Sequence, residues 1–237
     1  LGVSALPALT TAWAARSKRA VRTNLESVLR ITSLIALPSG LGIMVLSQGI
    51  LDLLYPTKPI GAAIAAPNLA ILGLAVIFAG LAIPMTNMLQ AIGKQKLPMR
   101  NIIVGAILKI IVNFVLVGIP SINVHGASVG TVVCYAYIFV MNFYYLCKHT
   151  RMIPNLIKVF LKPLTAAVLC AATAWVVNSL TGRIASSQLT TIVAIAAACI
   201  VYLLMLGLLK VLTKEDILML PSGQKIVKVL EKLHWIG

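Results

Sequence analysis

Lys109 is a cation inside a long apolar segment, and its type and position suggest chemistry more strongly than those of any other residue. The segment at residues 101–119 contains no other charged side chain. Asn113 lies four residues further on, which places it on the same face of an α-helix, one turn away. At mid-depth in a bilayer an isolated cation costs at least about 2.5 kcal/mol. We therefore expect Lys109 to face protein, water or an anionic ligand and not lipid.

Other polar side chains also interrupt the apolar segments. Asn87 and Gln90 precede a basic turn at residues 94–100, and Asn142 and Asn178 occur further on. Asparagine and glutamine in membrane helices often hold helices together by hydrogen bonds, and this interpretation applies to each of them.

Lys109 has two interpretations of its own. It either meets an anionic substrate in a hydrated cavity or pairs with a carbonyl or carboxylate elsewhere in the protein. The candidate binding residues are Lys109, Asn113, Asn87 and Gln90.

Residue sets typical of catalysis or metal binding are not apparent in the sequence. His125, His149 and His234 lie far apart, and the four cysteines are scattered without a Cys-x-x-Cys pair. There is no pair of carboxylates, phosphate-binding loop or nucleophile elbow. We therefore predict no catalytic residue, no metal, no cofactor and no enzymatic activity.

The composition is that of a membrane protein. Hydrophobic residues make up 60% of the 237 residues and charged residues 11%, which is more apolar surface than a soluble domain of this size can bury. The net charge of +15 does not indicate a nucleic-acid-binding protein, because the basic residues lie in short gaps between apolar segments and form no continuous face.

The apolar segments predict an all-α, polytopic bundle of six complete transmembrane helices after one partial helix. The six predicted spans are residues 31–55, 68–92, 101–119, 126–147, 160–180 and 189–212. Alternate gaps are rich in lysine and arginine, whereas the gaps between them hold at most one basic residue. By the positive-inside rule, this alternation places the C-terminus in the cytoplasm.

Two segments outside the spans are amphipathic. The first is a basic elbow whose cations alternate with aliphatic residues at helical spacing, and these cations are Arg16, Lys18, Arg19, Arg22 and Arg30. It either lies along the cytoplasmic leaflet, with anionic lipids as partners, or is a solvated charged helix. The tail at residues 213–237 has the same two interpretations.

Glycine and proline mark two further features. Residues 38–40, Pro-Ser-Gly, predict a kink in the first complete span, with neighbouring groups satisfying the freed carbonyl. Residues 126–131, Gly-Ala-Ser-Val-Gly-Thr, predict close helix packing.

Three stretches together resemble a known family. They are residues 89–98 (LQAIGKQKLP), residues 105–113 (GAILKIIVN) and residues 126–131 (GASVGT). In order and spacing they resemble the C-terminal region of polysaccharide-biosynthesis exporters, more narrowly the stage V sporulation protein B group. That group is related to the lipid II flippase MurJ within the multidrug/oligosaccharidyl-lipid/polysaccharide superfamily.

The resemblance implies a fold of two six-helix lobes around a central cavity, with two extra C-terminal helices. Residues 1–30 correspond to a helix end and the elbow, residues 31–147 to four helices of the C-terminal lobe, residues 148–212 to the two extra helices, and residues 213–237 to the tail. Because the chain opens with Leu1 inside an apolar segment, we expect an N-terminal lobe of the same protein as a further partner.

The resemblance also implies a function. Such proteins move lipid-linked sugar pyrophosphates, either a lipid II-like peptidoglycan precursor or another envelope precursor, across the cytoplasmic membrane by alternating access. Two alternatives remain: a cation-coupled drug or metabolite antiporter of the same superfamily, and a non-transporting scaffold for envelope or spore assembly.

Overall fold

The computed structural model describes residues 6–155, 157–181 and 187–208, and these residues form helices and short connections with no strand. The helices are α1 (Leu6–Ala14), α2 (Lys18–Leu54), α3 (Pro59–Ala91), α4 (Lys96–Val117), α5 (His125–Thr150), α6 (Lys162–Thr181) and α7 (Ser187–Leu208), with a π-helical turn at Ile157–Leu161 before α6. The predicted all-α bundle is confirmed. The predicted tail at residues 213–237 lies outside the described residues.

Six of these helices, α2 to α7, are long and apolar enough to cross a membrane, as the sequence predicted. The second span begins at Pro59 and not at residue 68. Proline is favoured at the first position of a helix, and the small apolar residues after it continue the helix through Pro67. At 1.5 Å per residue, the 37 residues of α2 extend about 55 Å, well beyond a hydrocarbon core of about 30 Å.

The basic elbow is continuous with the first span, because α2 runs unbroken from Lys18 through residues 30 and 31. Its aliphatic side chains pack against protein, whereas the sequence analysis left two interpretations, a helix lying along the leaflet and a solvated charged helix. The buried cluster around them comprises Leu9, Ala12, Val21, Leu25, Val28, Leu29, Met85, Met88, Leu89, Ile92, Leu146 and Val159. The ends of α1, α3 and α5 thus provide the apolar surface that the first interpretation assigned to the membrane.

The basic face of the elbow is only partly available to a ligand. Arg22 Nε donates to Glu26 Oε1 at 2.9 Å, and the backbone N–H of Asn155 donates to the same oxygen at 2.9 Å. Arg30 is buried, with 8% of its surface exposed. Arg16, Lys18 and Arg19 remain exposed.

Pro38 lies within α2 without breaking it, and the backbone leaves helical dihedrals eight residues later, at Leu46 (φ −100°, ψ 15°). The predicted kink at residues 38–40 is therefore displaced. Pro38 has no N–H to donate to the Leu34 carbonyl, and the Tyr202 hydroxyl of α7 donates to that carbonyl at 2.6 Å. A neighbouring helix thus satisfies the freed acceptor.

Pro163 has a similar arrangement, in which α2 provides the hydroxyl and the π-helical turn provides the freed carbonyl. It removes a donor for the Val159 carbonyl in the π-helical turn. The Ser33 hydroxyl of α2 shares its proton between this carbonyl, at 3.0 Å, and the Arg30 carbonyl of its own helix, at 2.8 Å. Ser33 is fully buried. Two hydroxyls on different helices therefore connect α2 with the C-terminal pair of spans.

The order of packing places α2 in the middle of the described chain. It contacts α1, α3, α6 and α7, while α3 packs against α5 and α5 packs against α4. Helix α4 lies at the end of this series, and its principal neighbour is α5.

Candidate functional site

One face of α4 carries a polar or small residue at every fourth position, and this face meets α5. The residues are Asn101, Gly105, Lys109 and Asn113. The first two are buried and the last two are partly buried. Beyond Arg100, the remaining surface of α4 is apolar and largely exposed, with Ile102, Ile103, Ile107, Ile110, Ile111, Phe114 and Val115 each at least 47% accessible. Lys109 therefore lies at a helix contact and not on the broad apolar face, as predicted.

Close packing brings α4 and α5 together at Asn113. A Cβ atom on Gly130 of α5 would meet the Asn113 side chain, with its Cγ only 3.0 Å away, and would lie 3.2 Å from the Lys109 carbonyl oxygen. Glycine is therefore required at position 130, because any larger residue would displace Asn113. The prediction of close helix packing for residues 126–131 is confirmed.

Lys109 also lies against α5. Its carbonyl oxygen faces Gly130, and the residue is partly buried on the face of α4 whose Gly105 packs against Ile138 and the Cys134 carbonyl of α5. Lys109 and Asn113 thus lie beside the same stretch of α5, from Gly130 to Cys134. The structure brings these two predicted site residues together.

The Asn113 side chain has an unused hydrogen-bonding group. Its Oδ1 is buried and accepts no hydrogen bond within the part of the chain that the structure describes. A buried acceptor without a donor costs about 1–3 kcal/mol, and this oxygen packs against Gly130 of α5. The ammonium of Lys109 and the amide of Asn113 together present donors suited to an anion and an acceptor suited to a hydroxyl.

Asn87 and Gln90 lie elsewhere. They are four residues and one residue before the end of α3, respectively, whereas Lys109 is 13 residues into α4. At 1.5 Å per residue, Lys109 lies about 13 Å or more deeper along the bundle than either side chain. Asn87 is partly buried and Gln90 is exposed. The structure therefore does not bring these two candidates together with Lys109 and Asn113.

A buried polar network joins α3, α4 and α5 nearer the basic turn. Asn101 Nδ2 donates to Asn142 Oδ1 at 2.8 Å, and Asn142 Nδ2 donates to Thr86 Oγ1 at 2.9 Å. The two asparagines are 1% and 0% exposed. The prediction that Asn142 holds helices together is confirmed. Sequence reasoning missed Asn101 because it took this residue as the end of a span. The usable signal was that Asn101, Gly105 and Lys109 follow one another at intervals of four residues.

A second polar contact joins the opposite ends of α3 and α5. His125 Nδ1 lies 2.9 Å from Asn68 Oδ1, and the Ser128 hydroxyl donates to the same oxygen at 3.2 Å. With the Asn68 amide oxygen in this position, Nδ1 of His125 is the donor of the hydrogen bond. Both ends of the α3–α5 contact are therefore fixed by hydrogen bonds.

The described residues contain no group of three or more His, Cys, Asp or Glu side chains that could hold a metal ion. The four cysteines, Cys134, Cys147, Cys170 and Cys199, are free thiols.

Comparisons with known proteins agree with this architecture. None of the curated proteins compared matches the chain. The family model described as lipid II flippase MurJ matches residues 1–195. The sequence resemblance was narrower, toward the sporulation group, and the match supports the MurJ relationship without that specificity. Six apolar helices and a match over more than four-fifths of its length show that the chain belongs to the lipid II flippase MurJ family of multi-pass membrane transporters.

Proposed function

We propose that the protein flips a lipid-linked sugar pyrophosphate, a lipid II-like precursor, from the cytoplasmic to the outer leaflet of the cell membrane. The observation that carries this proposal is the pair formed by Lys109 and Asn113, partly buried at mid-span in a segment of α4, residues 102–117, that is otherwise apolar. Membership of a flippase family supports it. The protein carrying this chain works by alternating access, with an N-terminal lobe as the other wall of the cavity.

The chemistry of the pair suits a pyrophosphate headgroup. A phosphate that leaves water needs charge-assisted hydrogen bonds, which the Lys109 ammonium supplies. The Asn113 Oδ1 atom, buried and without a donor among the described residues, accepts from a sugar or amide group of the same substrate. Asn87 and Gln90, near the cytoplasmic end of α3, contact the substrate earlier on its route.

The charge pattern sets the proposed orientation. Basic connections alternate with connections that hold at most one basic residue, which supports a cytoplasmic elbow and a cytoplasmic C-terminus. In this orientation α2 starts and α3 ends in the cytoplasm, where anionic lipids attract the exposed cations of the elbow. Residues 31–147 then form four helices of the lobe, and residues 148–212 form two further helices.

The test is protein-dependent movement of a labelled undecaprenyl-pyrophosphate glycolipid in vesicles that contain the protein carrying this chain. We expect Lys109→Ala to slow movement about tenfold or more, because a hydrogen bond from a charged donor contributes about 1.5–3 kcal/mol. Lys109→Arg should retain most of the activity.

Ile110→Ala is the matched control, because Ile110 is the next residue on α4 and is 67% exposed. Equal rates of glycolipid movement for the Lys109→Ala and Ile110→Ala proteins would show that Lys109 does not bind the transported substrate. Absence of movement in the wild-type vesicles, with the protein folded, would reject the flippase proposal itself.

A cation-coupled antiporter is the principal alternative. Coupling to protons or sodium usually uses a carboxylate within the membrane. The two acidic residues in the described helices, Glu26 and Asp52, lie near the ends of α2, which favours the flippase. Cation-dependent export of a drug by the same vesicles, without glycolipid movement, would favour the antiporter.

A non-transporting scaffold, including one dedicated to spore assembly, makes a different prediction. It requires Lys109 to be sealed against protein, with no water-filled cavity. Labelling of Lys109→Cys by a water-soluble thiol reagent, in a protein whose four native cysteines are replaced, would contradict it.

A further inference from the structure

A basic cavity lies where α1 turns into α2, at the end of α5, and it is separate from the Lys109 pair. Its volume is about 580 Å³. Arg16 and Lys18 contribute from the α1–α2 turn, and His149 and Arg151 contribute from the end of α5. More than 130 residues of sequence separate these two groups, so the fold itself assembles the cluster.

No negative charge lines this cavity. None of its lining residues, all within the described ranges, is acidic. The nearest carboxylate along α2 is that of Glu26, which accepts from Arg22 and from the Asn155 backbone. His149 Nδ1 lies 2.9 Å from the Tyr145 carbonyl oxygen and donates to it. The cavity therefore holds at least three permanent positive charges without a compensating anion.

Both arginines occupy a backbone conformation that normally favours glycine. Arg16 has φ 51° and Arg151 has φ 52°, and each residue ends a helix. Glycine is the usual residue at such a helix end because a Cβ atom is strained there. Two arginines at two strained positions on one cavity suggest that their guanidinium groups serve a purpose other than folding.

The other wall of the cavity is apolar and lies at the membrane boundary. Trp13, Val21 and Met152 line it. Helix α5 ends at Thr150, three residues beyond the predicted span at 126–147, so this wall lies close to the place where α5 leaves the lipid, and tryptophan is enriched at this depth. A soluble phosphate would contact only the cationic wall, whereas a phospholipid would contact both the cationic wall and the apolar wall.

We propose that this cavity binds the phosphodiester headgroup of an anionic phospholipid, with Arg16 and Arg151 on the phosphate and Trp13 against the first acyl carbons. Guanidinium groups pair with phosphate through two parallel hydrogen bonds, which a lysine cannot reproduce. The inference relies on the orientation proposed above, which places this side in the anionic cytoplasmic leaflet. It does not depend on transport.

The test is binding of phosphatidylglycerol to the purified protein, measured by native mass spectrometry in detergent, with phosphatidylcholine as the zwitterionic lipid. The informative variants are Arg16→Gly and Arg151→Gly, because glycine relieves the backbone strain at both positions. We expect each variant to bind phosphatidylglycerol about tenfold more weakly. Without lipid, each should melt at the same temperature as the wild type or higher.

Lys58→Gln is the charge-matched control, because Lys58 is exposed before α3, does not line the cavity and does not belong to the basic elbow. Its phosphatidylglycerol affinity should equal that of the wild type. Three results would overturn the proposal: unchanged affinity in the glycine variants, an equal loss in Lys58→Gln, or equally tight binding of phosphatidylcholine.

Two further results would indicate a different role for Arg16 and Arg151. Displacement of the lipid by inorganic phosphate at similar concentration would identify a soluble phosphate ligand and reject the lipid. A lower melting temperature of the glycine variants without lipid would show that the arginines are structural. Because no step of this assay measures movement between leaflets, its failure is distinguishable from failure of the flippase proposal.

Discussion

Two helix contacts in this protein use glycine to bring backbones close together, and they differ in what surrounds the glycine. Between α2 and α3, a Cβ on Gly40 would lie 2.5 Å from the Gly73 carbonyl oxygen, and one on Gly73 would lie 2.6 Å from the Gly40 carbonyl oxygen. Between α4 and α5, Gly130 faces the Asn113 side chain. The contact of Gly40 with Gly73 joins backbone to backbone, whereas Gly130 lies against a polar side chain as well as against the Lys109 carbonyl oxygen.

This difference indicates that glycine has different roles at the two helix contacts. The α2–α3 contact is surrounded by apolar residues, and the buried cluster beside it consists of Leu37, Ile77, Leu81 and Ala167. The α4–α5 contact holds a lysine and an asparagine whose acceptor is buried without a donor among the described residues. We therefore interpret the first contact as structural and the second as the place where a ligand binds.

The largest effect should follow from Gly40→Val. Its side chain would collide with the backbone of α3, which cannot move without separating the helices, so we expect a loss of about 3 kcal/mol or more. The measurement is the melting temperature in detergent. The control is Gly42→Val, because a Cβ on Gly42 meets nothing within 4 Å. Similar melting temperatures for the two variants would contradict the structural interpretation.

Compared with Gly40→Val, Gly130→Ala should destabilise the protein less, but it should slow glycolipid transport more. The added methyl group displaces the Asn113 amide, which we expect to cost about 1–2 kcal/mol, and glycolipid movement should slow about tenfold. Movement in vesicles and the melting temperature are measured on the same preparation. Gly42→Ala is the control and should be neutral or slightly stabilising. A stability loss without a transport loss would make both glycine contacts structural.

Asn142→Ala tests the network beside the binding pair. It removes the acceptor of Asn101 and the donor to Thr86, so we expect a loss of about 1 kcal/mol, as is usual for hydrogen bonds between membrane helices. A double-mutant cycle with Asn101→Ala isolates the pair, and the two effects should be less than additive. Additive effects would mean that the two amides do not interact.

Tyr202→Phe should have the smallest effect, about 0.5–1 kcal/mol, because it removes one hydrogen bond to the Leu34 carbonyl. The same substitution should cost less in a Pro38→Ala background, where the alanine N–H can donate to that carbonyl. Tyr135→Phe, at a partly exposed position on α5, is the control. An equal cost in both backgrounds would mean that the hydroxyl does not compensate for the proline.

Features that depend on composition and local spacing could be predicted from the sequence. Apolar length identified six spans, and a spacing of four placed Lys109 and Asn113 on one face. Helix ends were less predictable: α3 begins nine residues before the predicted span, because apolar runs locate the membrane and not the helix termini.

Contacts between distant segments could not be predicted. The Tyr202 hydroxyl that compensates for Pro38 lies 168 residues along the chain from Leu34, whose carbonyl it reaches, and no local pattern identifies it. The partners of the elbow were also missed, since an amphipathic face has the same appearance whether protein or lipid covers it. The Asn101 network required knowledge of which helices are neighbours.

The two bonds between hydroxyls and proline-freed carbonyls have a consequence for how such sequences change over generations. A relative that loses Pro38 regains a backbone donor, and selection on a hydroxyl at position 202 then relaxes. The same holds for Pro163 and Ser33. We expect each pair to be inherited together, so that among related sequences phenylalanine at position 202 accompanies a residue other than proline at position 38.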